Sequence, residues 1–127
     1  MLYASVKMLK MFNFEKGSTD ADKLLLAVAL HDSLKYGNLG TRKHTDYHHD
    51  KNAGDMICEN RDVFTRHFTE EQVFEIEEMI RFHSGQWSTD VPKNKPFTFK
   101  DYNPLTMFVH CLDMFSTADL IQTDIRE

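Results

Sequence analysis

Leu24-Leu25-Leu26-Ala27-Val28-Ala29-Leu30-His31-Asp32 is the stretch on which the fold of this chain turns. Its unbroken apolar run gives a helix that is apolar on nearly every side, and such a helix is expected to be central and buried. His31-Asp32 then closes it. An ionised carboxylate is costly in such surroundings unless it is paired or metal-bound, so the pair is a candidate ligand set. The helix is expected over residues 21–36, capped by Thr19 or Asp20 and stopped at Gly37, which is free to take a left-handed conformation.

Helical patterning continues on both sides. Val6, Leu9 and Phe12 recur at helical spacing and predict a first helix over residues 2–14. A polar loop over residues 38–46 is expected to lead into a third helix over 47–60, with Ala53, Met56 and Ile57 inward. Thr69-Glu70-Glu71-Gln72 has the form of a capping box and opens a fourth helix that runs to about His83. Residues 84–101 are expected to be a long loop carrying Trp87, Pro92 and Pro96. Asn103-Pro104 reads as N-cap and first turn of a last helix that extends to about Ile125. Met107, Phe108, Met114 and Phe115 on that helix are expected in the core; Trp87 in the loop either stacks on a base or covers the core, with the core favoured.

The 127 residues suit one domain, residues 1–127, with no repeat, linker or low-complexity tract. The expected fold class is all-α, a compact bundle of about five or more helices around a metal site. Hydrophobic residues at 41% and charged residues at 28% are ordinary for a folded domain and exclude disordered and collagen-like classes. A net charge of -5 with no long basic run disfavours a general nucleic-acid coat. The two cysteines, Cys58 and Cys111, form no CxxC pair and are expected as reduced core residues. No stretch approaches the roughly 20 apolar residues that span a bilayer. The opening residues lack the pattern of a signal peptide, so a cytoplasmic setting without membrane partners is expected.

Seven histidines fall at 31, 44, 48, 49, 67, 83 and 110. His110 and Asp113 are three apart and share a helix face. His83 ends the fourth helix and His48 opens the third, so polar groups from several helices can converge on one cavity. Imidazole and carboxylate together suit Mn, Fe, Co, Ni or Zn better than a calcium cage. Adjacent residues diverge on a helix, so His31 and Asp32 grip one ion more easily at a helix end than within it. The remaining His44 and His67 read as surface residues.

The run Ala29-Leu30-His31-Asp32-Ser33-Leu34-Lys35 resembles the signature of the HD-domain metal-dependent phosphohydrolases. Val109-His110-Cys111-Leu112-Asp113-Met114-Phe115-Ser116-Thr117 resembles the final helix of that family, and Met79-Ile80-Arg81-Phe82-His83 the helix that brings one of its extra histidines. The resemblance covers most of the chain. It implies a divalent ion (Mn, Fe, Co, Ni, Zn or Mg, one or two) held by His31, Asp32 and Asp113. His48 (preferred over His49 on the family's spacing to Ala53), His83 and His110 are the candidates for a second ion. It further implies hydrolysis of a phosphate ester, commonly a nucleotide, with Asp32 and Lys35 catalytic. Lys35, Arg42 and Lys43 are the expected substrate contacts, with Lys93 and Lys95 as further loop cations. A homo-oligomer is left open.

One departure stands beside the resemblance. The family carries a further histidine on its first helix, whereas Met1 to Ser5 contains none. Spacing favours a domain that lacks its N-terminal start. The rival readings are a catalytically impaired HD-type binding module, a metal-dependent nuclease acting on single strands, and a helical interaction protein with incidental histidines.

Overall fold

The computed structural model describes residues 19–98 and 100–117. They form five α-helices and no strand: α1 (Thr19–Leu30), α2 (His49–Glu59), the short α3 (Arg61–Phe64), α4 (Glu70–Arg81) and α5 (Pro104–Thr117), with a 3-10 turn at Gly85–Trp87. The helix expected over residues 2–14, and the last helix beyond Thr117, lie outside the described residues.

The capping box forms as expected. The Thr69 hydroxyl accepts from the Gln72 N–H at 3.2 Å, and the Gln72 side chain accepts from the Thr69 N–H at 2.8 Å. It starts α4, whose Val73, Ile76, Met79 and Ile80 are all buried. Burying an aliphatic side chain of this size stabilises by about 1.5–3 kcal/mol. α4 packs against each of the other four helices. The central element is therefore α4 and not α1, as the apolar run suggested. α1 buries Ala21, Leu24, Ala27 and Val28 but leaves Ala29 exposed and Leu25, Leu26 and Leu30 half-buried.

α1 also stops earlier than residue 36. After Leu30 the chain winds through i→i+3 turns: Ser33 N–H to Leu30 O at 3.0 Å, Lys35 N–H to Asp32 O at 3.1 Å, and Gly37 N–H to Leu34 O at 3.0 Å. The reason is local. His31 Nδ1 takes the Val28 carbonyl at 2.6 Å, so a side chain rather than a continuing backbone closes the helix. Gly37 has φ 86°, the left-handed conformation expected of it.

Asn103 caps α5 through its side chain, which accepts from Leu105 N–H at 2.9 Å. Glu78 of α4 accepts from Asn103 N–H at 3.0 Å and from the Thr106 hydroxyl at 2.8 Å, and so locks the start of α5 to the central helix. On α5, Met107, Val109 and Leu112 are buried and Phe108 is half-buried. Met114 and Phe115 are exposed, against the expectation of a fully buried stripe. Cys58 is exposed and Cys111 half-buried, both as free thiols, so the core placement expected for Cys58 does not hold. No described helix is long and apolar enough to cross a membrane.

Candidate metal centre

Three histidines share one local device. His31 Nδ1 donates to Val28 O at 2.6 Å, His49 Nδ1 to Asp46 O at 2.8 Å, and His83 Nδ1 to Ile80 O at 2.6 Å, each bond reaching back three residues. A carbonyl can only accept, so Nδ1 carries a proton in each ring, and in the neutral form Nε2 is the nitrogen free to bind a metal. That is the arrangement by which proteins prepare imidazoles for metal.

The three Nε2 atoms meet around one carboxylate. His31 Nε2 lies 3.2 Å from Asp32 Oδ2. His49 Nε2 and His83 Nε2 lie 3.3 and 3.7 Å from Asp32 Oδ1. Asp113 Oδ1 stands 3.8 Å from His31 Nε2. The ligand atoms of His31, Asp32 and His83 all lie within 4.8 Å of one another. His83 is only 1% exposed, His31 is buried, and the side chain of Asp32 keeps an open edge.

His49 Nε2 and His83 Nε2 face each other at 3.2 Å. Two bare nitrogens at that distance repel, so the contact requires a proton on one of them or a cation between them. Two nitrogens bonded to one ion at about 2.0–2.1 Å stand roughly 2.9–3.4 Å apart for octahedral to tetrahedral angles. The spacing and the donor set fit a transition-metal ion.

Electrostatics follow the same logic. Burial pushes the His31 imidazole down, but the hydrogen bond and charge of Asp32 outweigh it and raise its pKa above the usual value. Asp32 raises His49 as well, against the opposing effect of burial. Burial would raise the Asp32 carboxyl, yet His31 and His49 hold it well below the carboxylate range. His83 is different: its burial dominates and lowers its pKa, keeping it neutral. An ionised Asp32 beside a neutral, buried His83 offers both a charged and an uncharged ligand to a cation.

Of the residues expected at the site, the structure brings His31, Asp32, His83 and Asp113 together. It does not bring His48. That imidazole is exposed and reaches Thr89 Oγ1 at 3.3 Å, and the neighbouring His49 enters the cluster instead. The physical reason is helix geometry: residue 49 lies one turn from Ala53, which is buried, and shares its face. His110 stands behind the cluster. Its Nδ1 donates to the His83 carbonyl at 3.0 Å, and its ring packs so tightly on Gly85 that a Cβ there would come within 2.4 Å of Cε1. Lys35 Nζ lies 3.7 Å from Asp32 Oδ2. Arg42 pairs with Asp46 at 3.0 Å rather than with the cluster, and Lys43 is exposed in the same loop. Lys93 is exposed, and Lys95 pairs with Asp101 at 3.2 Å. His44 and His67 are exposed, as expected.

Two organising residues have no signature in the sequence. Asp46 is buried and accepts from His48 N–H at 2.9 Å and from Arg42, while its carbonyl orients His49. Asp50, 2% exposed, accepts from the Thr89 N–H and hydroxyl, both at 2.7 Å, and clamps the loop after α4 onto α2. Comparison of the chain with protein families, with curated proteins and with solved structures finds no match.

Proposed function

We propose that this chain is a metal-dependent phosphohydrolase of the HD type, acting on a nucleotide or a related phosphate ester. The observation that carries the reading is the convergence of three Nε2 atoms, each freed by a backbone bond at Nδ1, on the ionised Asp32. His31, Asp32, His83 and Asp113 hold the ion, and His49 faces the same space. A bound divalent ion polarises a phosphoryl oxygen and lowers the pKa of water.

The chain's own groups supply the rest. The backbone bonds to Val28, Asp46 and Ile80 fix the imidazoles, so that little ordering remains when substrate arrives. Asp32 binds the ion and helps take a proton from the attacking water. Lys35, a turn beyond Asp32 and half-buried, neutralises charge on the phosphate. The alternating i→i+3 turns after α1 present Asp32 and Lys35 on one side.

The test is metal content per chain, by plasma mass spectrometry on protein purified without chelators, followed by phosphate release from a nucleotide panel. One or two equivalents of transition metal are expected. Asp32→Ala should weaken retention at least about 100-fold, since even residues that only support a ligand cost 10–100-fold, and should abolish turnover while the helical circular dichroism stays. A metal-free wild type that releases no phosphate after loading with Mn, Co, Ni or Zn would overturn the reading.

A further inference from the structure

We propose that His110 is a positioning residue: it fixes the carbonyl of His83 from the neighbouring helix and so sets where the His83 imidazole meets Asp32. The proposal rests on the phosphohydrolase reading only in taking this cluster as the metal site. The sequence offers His110 as a ligand of a second ion, and its contacts assign it another role.

The ring is held on several sides. Nδ1 donates to the His83 carbonyl at 3.0 Å. Nε2 lies against Gly85, where a Cβ would come within 2.4 Å of it and of Cε1. Gly85 has φ 61°, which glycine adopts without strain, and the turn it makes leaves that space to the imidazole. Phe97 meets the ring edge-on at 5.7 Å. His110 is buried, so water competes little for the bond to the carbonyl.

That carbonyl needs a partner from outside its own helix. His83 stands two residues past the end of α4, where carbonyls lose their helical donors. The turn bonds that follow pass it by: Gly85 N–H goes to Phe82 O at 2.9 Å, and Trp87 N–H to Ser84 O at 3.2 Å. His83 is almost wholly buried, so without His110 its carbonyl would be left unsatisfied away from water. The bond from His83 Nδ1 to Ile80 O fixes the imidazole against α4 alone. The bond from His110 fixes the same residue against α5.

The path from His110 to the cluster is continuous. His83, whose backbone it holds, places Nε2 3.7 Å from Asp32 Oδ1 and 3.2 Å from His49 Nε2. Asp113 lies one turn after His110 on the same face of α5, and its Oδ1 stands 3.8 Å from His31 Nε2. One helix face therefore carries one ligand and the bond that places another. Metal–ligand distances hold within about 0.2 Å, so a small drift of the His83 backbone is felt at Nε2. Groups that orient a ligand typically contribute about 10–100-fold in metal affinity.

The experiment compares His110→Leu, which fills similar space without a donor, with His110→Asn, whose side-chain N–H stands in for Nδ1–H. Affinity for Zn and Co is measured by competition with a chromogenic chelator. The absorption bands of the Co-loaded protein report ligand geometry, and circular dichroism checks the fold. His110→Leu should weaken affinity about 10–100-fold and alter the bands, while still binding the wild-type number of ions. His110→Asn should restore most of the affinity and the wild-type bands. Unchanged affinity in His110→Leu, or no rescue by His110→Asn, would overturn the proposal. So would loss of one ion per chain in a wild type that holds two, which would make His110 a ligand. If His110→Leu does not fold, two measurements remain. His110→Asn must keep most of the wild-type affinity. In nitrogen NMR of histidine-labelled wild type, Zn should shift Nε2 of His31 and His83 and leave Nε2 of His110 nearly in place; a shift of equal size at His110 overturns the positioning role. Phosphate release is read separately. The expected affinity ranking without phosphate release keeps the positioning role and sinks the hydrolase. Phosphate release with unchanged affinity in His110→Leu does the reverse. A wild type that binds no metal sinks both.

Discussion

Arg81 and His83 are two residues apart at the end of α4, and each anchors a charged cluster of the opposite kind. Around Arg81 every guanidinium nitrogen meets an acceptor. Nε and Nη2 reach Glu77 Oε1 at 3.0 and 2.8 Å, Nη2 reaches Asp55 Oδ1 at 2.9 Å, and Nη1 reaches Asp90 Oδ2 at 3.0 Å. Lys51 takes the other oxygen of Asp55 at 2.6 Å. Burial works against the guanidinium charge, and Asp55, Glu77 and Asp90 more than restore it. Around His83 the arrangement is different: three imidazole Nε2 atoms crowd one carboxylate, and two of them face each other at 3.2 Å. A cluster whose donors and acceptors match holds elements together. A cluster in which imidazole nitrogens face one another around a carboxylate offers ligands to a cation, and that difference sets the two clusters apart.

The comparison breaks most directly at Arg81. Its side chain is largely buried and joins α2, α4 and the following loop. Arg81→Met should destabilise by about 2–3 kcal/mol, below the range for a fully buried pair because Asp55 and Asp90 are partly solvated. Urea unfolding would measure it. Metal content should stay at the wild-type level. Loss of metal along with stability would mean that the two clusters form one unit.

These clusters were unequally legible. His31, Asp32, His83 and Asp113 could be found from sequence because each is a metal-ligating residue at a helix end or on a helical face already marked by apolar neighbours. The capping box at Thr69 and the Asn103-Pro104 start were equally visible, since their bonds are local. The Arg81 network was not, because its partners come from Asp55, Glu77 and Asp90, and pairing across helices has no local signature. Gly54 shows the same limit. It lies inside α2, where glycine costs about 1 kcal/mol, and only the structure shows why: a Cβ there would sit 2.9 Å from Arg81 Cζ. Trp87, for which the core is favoured over stacking on a base, is 66% exposed, because aromatic character alone does not tell a core ring from an exposed one.

A smaller effect sharpens the membership of the open cluster. His48 and His49 are adjacent, but only His49 offers Nε2 to Asp32 and His83. His49→Ala should weaken metal affinity about tenfold, roughly 1.4 kcal/mol, since the ion keeps its other ligands. His48→Ala should leave affinity within twofold, because that ring faces Thr89. Competition titrations with a chromogenic chelator would resolve the two. The reverse ranking would place His48 rather than His49 at the site and make the His49–His83 contact incidental.

The smallest effect is a slope. Hydrogen bonding from Lys51, and then from Arg81, holds the Asp55 carboxyl below its ordinary range. A carboxylate whose pKa is depressed by folding contributes stability that is fully present above the unfolded value of about 3.9 and is lost as pH falls through the lower folded value. Wild-type Tm should therefore drop as pH goes from about 5 toward 3. In Arg81→Met the Asp55 pKa moves back toward its unfolded value, so the drop should be shallower, on top of a lower Tm at neutral pH. Asp32, which His31 and His49 depress against its own burial, imposes the same acid dependence on both proteins and cancels in their difference. Metal-stripped samples scanned between pH 3 and pH 6 isolate the Arg81 contribution. Parallel curves would show that Lys51 alone sets Asp55, and that the closed cluster holds the helices through packing of the arginine stem rather than through its charge.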